Sequence, residues 1–190
     1  PDVLSVTEVD AMLAKINLNQ PLGHRNRAIM EMLYGCGLRV TELVTLRIGD
    51  LFFKEGYVRV VGKGDKQRLV PVGDEAVRFV TLYLEQRPTM RVDPRHAETL
   101  FLNNKGRGLT RVMIYHIIRE AARAAGITKH ISPHTLRHSF ATHLLEGGAS
   151  IRQVQQMLGH ESIVTTEIYT HLDGESLGRN VDLHHPLSDR

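Results

Sequence analysis

The sequence has little of what marks secreted, membrane-spanning or fibrous proteins. Its 190 residues include one cysteine, Cys36, so no disulfide can form within the chain and a disulfide-built scaffold is excluded. No apolar run approaches the length of about 18 residues that a membrane-spanning helix needs. The start shows no signal-peptide pattern, and neither a repeat nor a Pro/Ser-rich linker interrupts the chain. These absences predict a globular protein with no membrane partner.

What the chain contains is the composition of an ordinary folded domain, with 42% hydrophobic and 24% charged residues. Its length is enough for one domain with its own core. The net charge is only +3, but the basic residues are clustered. Residues 54–68 hold five basic and two acidic side chains, and residues 105–123 hold five and one. This clustering predicts an anionic partner, and the alternative is two solvated charged faces.

Hydrophobic spacing predicts a mainly α-helical domain of the α+β class with one small three-stranded antiparallel sheet. Capping boxes such as Ser5 with Glu8 and Ser150 with Gln153 mark helix starts, and glycines mark helix ends. Short β-branched runs between Gly-containing turns mark the strands. The predicted helices cover residues 5–16, 22–34, 39–46, 74–86, 110–125, 133–146 and 151–158, with a further helix carrying Tyr169, and the predicted strands cover residues 51–53, 57–61 and 67–71.

Two arginines stand at predicted helix starts. Arg39 begins a short helix, and Glu42, three residues on, can hold its guanidinium group. His134 and Arg137 share one face in the first turns of a later helix, away from the apolar Leu136. A helix N-terminus beside an arginine suits a phosphate. The alternative for Arg39 is an ordinary surface Arg–Glu pair.

Three further residues lie at turns or helix ends. Lys63 occupies a Gly-Lys-Gly-Asp tip between two strands, His160 follows the helix-ending Gly159, and Tyr169 lies nine residues further on. Lys63 is an edge charge, a group that reaches a nucleic-acid backbone, or a group that protonates a leaving oxygen. The alternative for His160 is a capping group, and the alternative for Tyr169 is a packing residue. The spacing of the glycines around Lys63 excludes a nucleotide-binding P-loop.

Taken together, this set suits phosphoryl transfer. Guanidinium and imidazole groups can stabilise a pentavalent phosphorane, and a tyrosine hydroxyl can act as nucleophile. The sequence shows no acidic metal cluster, so we expect neither a metal nor another cofactor. A metal nuclease built on His134, His138 and His143 is an alternative, although Thr135 stands where a zinc-protease helix carries its glutamate.

At this point the sequence resembles the tyrosine recombinase (phage integrase) family. More narrowly, it resembles the catalytic domain of bacterial Xer-type site-specific recombinases. The resemblance runs along nearly the whole chain, and five segments in order carry it: GLRVTEL, GKGDKQR, HTLRHSFATHLL, QMLGH and IYTH.

The resemblance implies a role for each candidate residue. Arg39 and Arg137 would bind the scissile phosphate, and Glu42 would support Arg39. Tyr169 would be the nucleophile that forms a 3′-phosphotyrosyl link, and His134 would exchange a proton with it. Lys63 would be the general acid toward the 5′-oxygen, and His160 would hydrogen-bond the phosphate.

The resemblance also implies an organisation and partners. Residues 1–172 would be the catalytic domain, residues 173–190 a tail exchanged between subunits, and the N-terminal DNA-clamping domain of such recombinases would be absent. The partners would be a specific double-stranded DNA site, a homo- or hetero-tetramer with a related recombinase, and a DNA translocase, in the bacterial cytoplasm, for chromosome dimer resolution. Two further alternatives are a type IB topoisomerase-like enzyme and a DNA-binding module without catalysis.

Overall fold

A computed structural model describes residues 3–159 of the chain. Within that range the chain forms seven α-helices and one three-stranded sheet. The elements in chain order are α1 (Val6–Ala14), α2 (Gly23–Cys36), α3 (Val40–Val44), β1 (Leu51–Phe52), β2 (Tyr57–Val61), β3 (Gln67–Pro71), α4 (Asp74–Gln86), α5 (Arg111–Ala124), α6 (Pro133–Glu146) and α7 (Ile151–Leu158). The predicted α+β class, mainly helical with a small antiparallel sheet, is confirmed.

Local sequence signals explain most element boundaries. The hydroxyl of Ser5 accepts from the Glu8 N–H while the Glu8 carboxylate accepts from the Ser5 N–H, both at 3.0 Å, which starts α1. Ser150 and Gln153 start α7 in the same way. The helix ends at Gly159, whose φ of 69° lies in the left-handed region that glycine adopts without strain. Both predicted capping boxes are confirmed.

Several predicted helices have different ends in the structure. Helix α1 stops at Ala14, two residues before its predicted end, and Thr110 and Ala125 are caps of α5 and not helical residues. Helix α2 continues past residue 34 to Cys36, because the left-handed residue that ends it is Gly37, with φ of 63°. Helix α3 is shorter than residues 39–46. Arg39 has an extended backbone and serves as its N-cap, so the first helical residue is Val40. The Arg39 side chain therefore leaves the chain just before the helix begins.

The sheet is a meander in the order β1-β2-β3, and neighbouring strands are antiparallel. Val58 lies opposite Val70, and Val60 lies opposite Arg68. Side chains alternate between the two faces of a strand, so these four residues share one face. The three valines on that face are buried. The register therefore directs Arg68 toward the interior of the domain.

The core is built around α2, which packs against α4 and α6 and is buried along most of its length. Tyr34 of α2 meets Phe140 of α6 edge to face, with ring centroids 6.2 Å apart. Helix α7 packs against both α6 and β3. This arrangement brings the ends of α2 and α7, the start of α3 and the β2–β3 hairpin to one place. No helix among residues 3–159 is both long and apolar enough to cross a bilayer.

Candidate active site

The first candidate, Arg39, is joined to Glu42 as predicted. The Glu42 Oε1 atom accepts from the Arg39 backbone N–H at 2.9 Å, and Oε2 lies 3.4 Å from the guanidinium Nη1. The Arg39 side chain is 43% exposed, whereas that of Glu42 is 2% exposed. The carboxylate thus anchors the base of an arginine whose outer part reaches solvent.

Glu42 forms a stronger ion pair with a residue that the sequence analysis did not predict for the site. The Arg68 guanidinium binds it in a two-pronged ion pair, with Nη1 2.6 Å from Oε2 and Nη2 2.9 Å from Oε1. The Arg68 Nε donates to the Met157 carbonyl at 2.7 Å. The available signal was strand alternation, because Arg68 lies two residues before Val70 and so shares the face of that buried side chain.

Charge around Glu42 keeps it ionised inside the protein. Burial alone would raise the pKa of the Glu42 carboxyl. Hydrogen bonds and charge from Arg68, the Arg39 N–H and the charge of Arg137 outweigh burial, so the pKa lies below its ordinary value. The buried carboxylate therefore binds Arg68 and Arg39 and is further stabilised by the charge of Arg137.

Arg137, three residues after His134 in α6, is buried. Its Nη1 donates to the Gly37 carbonyl at 2.5 Å and its Nη2 to the Leu158 carbonyl at 2.6 Å. His134 is exposed. The difference arises because the ends of α2 and α7 close over the side of α6 that carries Arg137 and do not cover His134. Arg137 thereby fixes two helix ends whose carbonyl groups lack partners within their own helices.

Lys63 lies at the predicted hairpin turn. Residues Lys63–Asp65 form one short helical turn, with Gly64 and Asp65 in left-handed conformations, and the Lys63 side chain is exposed. The preceding Gly62 lies close to the ion pair, since a Cβ atom there would be 3.4 Å from Glu42 Oε2. The lysine therefore extends from a hairpin whose base contacts the arginine–carboxylate cluster.

The three histidines of the metal alternative are not brought together. His143 is buried, and its Nδ1 lies 2.5 Å from the Tyr34 hydroxyl oxygen. Burial lowers the pKa of His143, and burial together with His134 lowers the pKa of His138. Among residues 3–159, no three His, Cys, Asp or Glu side chains are grouped as metal ligands.

Four cations of the basic segments pair with carboxylates. Arg59 pairs with Asp50 at 2.8 Å, Arg107 with Asp93 at 3.3 Å, Arg68 with Glu42, and Arg123 with Glu120. Other basic side chains of these segments are exposed. They are Lys54, Lys63, Lys66, Lys105, Arg111 and Arg119.

Two site candidates, His160 and Tyr169, lie outside the described residues, as does the tail 173–190. The structure brings Arg39, Glu42 and Arg137 together. Arg68 also lies in this cluster, and its hairpin carries Lys63.

The family follows from comparison with known proteins. Residues 2–176 match the model of the phage integrase family, and the chain belongs to that family. Its recognition from five short segments is therefore confirmed.

The relatives narrow the likeness to the Xer type. The chain is 49% identical to tyrosine recombinase XerD of Listeria monocytogenes serotype 4b (strain F2365) over 173 residues, which cover 90% of this chain and 58% of that protein. It is 46% identical to XerD of Pseudomonas putida over 186 residues, or 98% of this chain and 62% of the relative. The chain thus spans about three fifths of these relatives.

Solved structures agree with the sequence relatives. The crystal structure of XerA recombinase superposes with a TM-score of 0.80 at 36% identity, covering 97% of this chain and 65% of that one. XerH site-specific recombinase, solved bound to its difH substrate in a pre-cleavage complex, gives a TM-score of 0.79 at 30% identity, covering 90% and 51%.

Proposed function

We propose that this chain is the catalytic domain of a site-specific recombinase that cuts and rejoins double-stranded DNA, in the resolution of chromosome dimers. The arginine cluster carries this proposal. Arg39 and Arg68 bind the carboxylate of Glu42, and the charge of Arg137 acts on the same carboxylate. Guanidinium groups gathered in one place, with the Arg39 side chain 43% exposed, favour a phosphodiester.

The proposed reaction is a transesterification. The Tyr169 oxygen attacks the scissile phosphorus, a 3′-phosphotyrosyl bond forms, and the bond from phosphorus to the 5′-oxygen breaks. Lys63, exposed on its hairpin, gives a proton to that leaving oxygen. A 5′-hydroxyl of another strand then attacks the phosphotyrosine and restores the backbone, so the bond energy is retained and no ATP is consumed.

Charge stabilisation in this proposal comes from side chains. Arg39 and Arg137 offset the negative charge that develops on the pentavalent phosphorus. The exposed His134 takes the proton of the Tyr169 hydroxyl, and His160 donates a hydrogen bond to a phosphate oxygen. The protein cations do the work that a metal ion does in other phosphoryl-transfer enzymes.

The proposed partners follow from the same reading. The exposed cations of both basic segments favour a DNA backbone, and the similar XerH was solved on a DNA substrate. Residues 1–172 are proposed as the catalytic domain, and residues 173–190 as a segment passed to a neighbouring subunit. A tetramer with a related recombinase, activation by a DNA translocase and a place in the bacterial cytoplasm are proposed from the family resemblance alone.

Covalent capture tests the proposal. The chain is incubated in EDTA with nicked duplexes from a library of recombination half-sites, and denaturing gels report any protein–DNA adduct. We expect an adduct with the wild type and none with Tyr169→Phe. An adduct that survives in the variant contradicts the assignment of the nucleophile. No adduct from the wild-type chain with any duplex contradicts metal-free cleavage by this chain.

The wild-type chain and Tyr169→Phe also distinguish the alternative functions. Relaxation of supercoiled plasmid without a specific site would favour a topoisomerase-like enzyme over a recombinase. DNA binding that Tyr169→Phe leaves unchanged, without any adduct from the wild type, would favour a module that only binds. Loss of cleavage in EDTA, with recovery when a divalent metal is added, would favour a metal nuclease.

A further inference from the structure

Arg68 joins three segments that are far apart in the chain. Its Nη1 and Nη2 bind both oxygens of Glu42 in α3, and its Nε donates to Met157 O at the end of α7. Its own backbone lies in β3, the second strand of the hairpin that carries Lys63. One side chain thus connects the hairpin to the two other elements of the candidate active site.

The guanidinium of Arg68 is enclosed by backbone. A Cβ atom at Gly159 would lie 3.1 Å from the Arg68 Cδ and Nη1 atoms, and one at Gly62 would lie 3.7 Å from Nη1. The side chain is 13% exposed. A side chain this enclosed, with three nitrogens bound to protein, is built to hold other groups in place. It is poorly placed to reach a DNA backbone.

Arg68 binds Glu42 and the end of α7, and the two candidate phosphate-binding arginines bind the same carboxylate and the same helix end. Glu42 accepts from the backbone N–H of Arg39. The Leu158 carbonyl, next in the chain to that of Met157, accepts from Arg137. A shift of Arg68 would therefore move the anchor of Arg39 and the helix end that binds Arg137 together.

We propose that Arg68 is a positioning residue that keeps Arg39 and Arg137 at the relative positions that binding of the scissile phosphate requires. This inference rests on the proposed function, because it presupposes that the two arginines bind a phosphodiester. Lysine cannot replace Arg68. Its single ammonium group cannot form the planar, two-pronged pair with Glu42 and also donate to Met157 O.

The test compares matched arginine-to-lysine variants in the cleavage assay. Arg68→Lys removes the link, whereas Arg59→Lys alters a similar arginine–carboxylate pair on the neighbouring strand, where Arg59 binds Asp50 at 2.8 and 3.0 Å. A misplacement on the order of 1 Å costs about a hundred-fold in rate. We expect Arg68→Lys to slow cleavage of the nicked duplex about a hundred-fold and Arg59→Lys to cleave at the wild-type rate.

A second substrate shows which group Arg68 acts through. Sulfur replaces the bridging 5′-oxygen at the scissile phosphate, so the P–S bond breaks and the departing thiolate needs no proton. This substrate should restore cleavage by Lys63→Ala, which lacks only the proposed general acid. It should leave Arg68→Lys slow, because the phosphate-binding arginines stay displaced.

Circular dichroism and DNA binding accompany the rates, and Arg68→Gln serves as a second variant should Arg68→Lys unfold. Restoration of Arg68→Lys by the sulfur substrate overturns the proposal, as does a wild-type rate on the ordinary duplex. A rate that falls only in proportion to the loss of folded protein also overturns it. The proposed function fails separately, if the wild type forms no adduct or Tyr169→Phe forms one in the same gels.

Discussion

Replacing Glu42 by glutamine should destabilise the domain strongly, because it removes the buried carboxylate that binds Arg68 and Arg39. The Glu42 side chain is 2% exposed and that of Arg68 is 13% exposed, so water cannot take over the lost interaction. Breaking a buried ion pair by removing one partner costs about 3–5 kcal/mol. Glutamine keeps the shape and one oxygen acceptor, so we expect the lower end, about 3 kcal/mol.

Urea unfolding and thermal unfolding, both followed by circular dichroism, measure this cost. In urea we expect the free energy of unfolding to fall with an unchanged m-value. For a domain of this size, 1 kcal/mol shifts the melting temperature by about 2–4 °C, so we expect the melting temperature to fall by about 6–12 °C. The control is Glu120→Gln. It removes a carboxylate from a pair with Arg123 that lies 65% and 73% exposed, respectively, and should leave the unfolding midpoint unchanged.

The pH dependence of the same comparison tests the cause. Because the folded-state pKa of Glu42 is lowered, its stabilisation is fully present above the ordinary value of 4.5 and is lost as the pH falls through the folded value. The difference in unfolding free energy between wild type and Glu42→Gln should hold from neutral pH to about 5 and shrink below 4.5. A difference under about 1 kcal/mol at neutral pH, or one independent of pH, would refute the ion-pair reasoning.

Three further predictions concern the surroundings of this site. Gly37→Ala should cost about 2 kcal/mol in urea unfolding, because φ is 63° and the new Cβ would lie 2.5 Å from the Phe140 ring; a wild-type midpoint would contradict this. Ser132→Ala should cost about 1 kcal/mol by losing the cap bond from the Thr135 N–H, whereas Ser132→Asp should retain most of the stability. Burial raises the pKa of the Cys36 thiol to about 12, so a thiol reagent should label the protein only as it unfolds in urea; rapid labelling of the folded protein at pH 8 would contradict that burial.

Much of the fold follows from signals a few residues apart. Ser5 and Glu8, or Ser150 and Gln153, close a capping box within one helical turn, so no distant contact is needed to form it. Helix α4 matches its predicted range, residues 74–86, because an apolar stripe and Pro88 define it locally. The end of α2 and the start of α3 differ from the prediction because the left-handed glycine is Gly37 and because Arg39 is an extended N-cap.

The candidate site was predicted from motif positions, but not its internal connections. Sequence identified Arg39, Glu42, Lys63, His134 and Arg137, and an i, i+3 spacing was enough to expect the first pair. It gave no reason to bury Arg137, since the carbonyls that bind it belong to Gly37 and Leu158 on other helices.

The sequence by itself determined the family, most helix caps and which residues are candidates for the site, because these depend on local spacing and on short motifs. Only the tertiary structure decided that Arg68 is the main partner of Glu42 and that it also binds the end of α7. Those partners lie 26 and 89 residues away in the chain. A buried charge needs a partner of opposite sign, and which one it meets is settled when β3, α3 and α7 pack together.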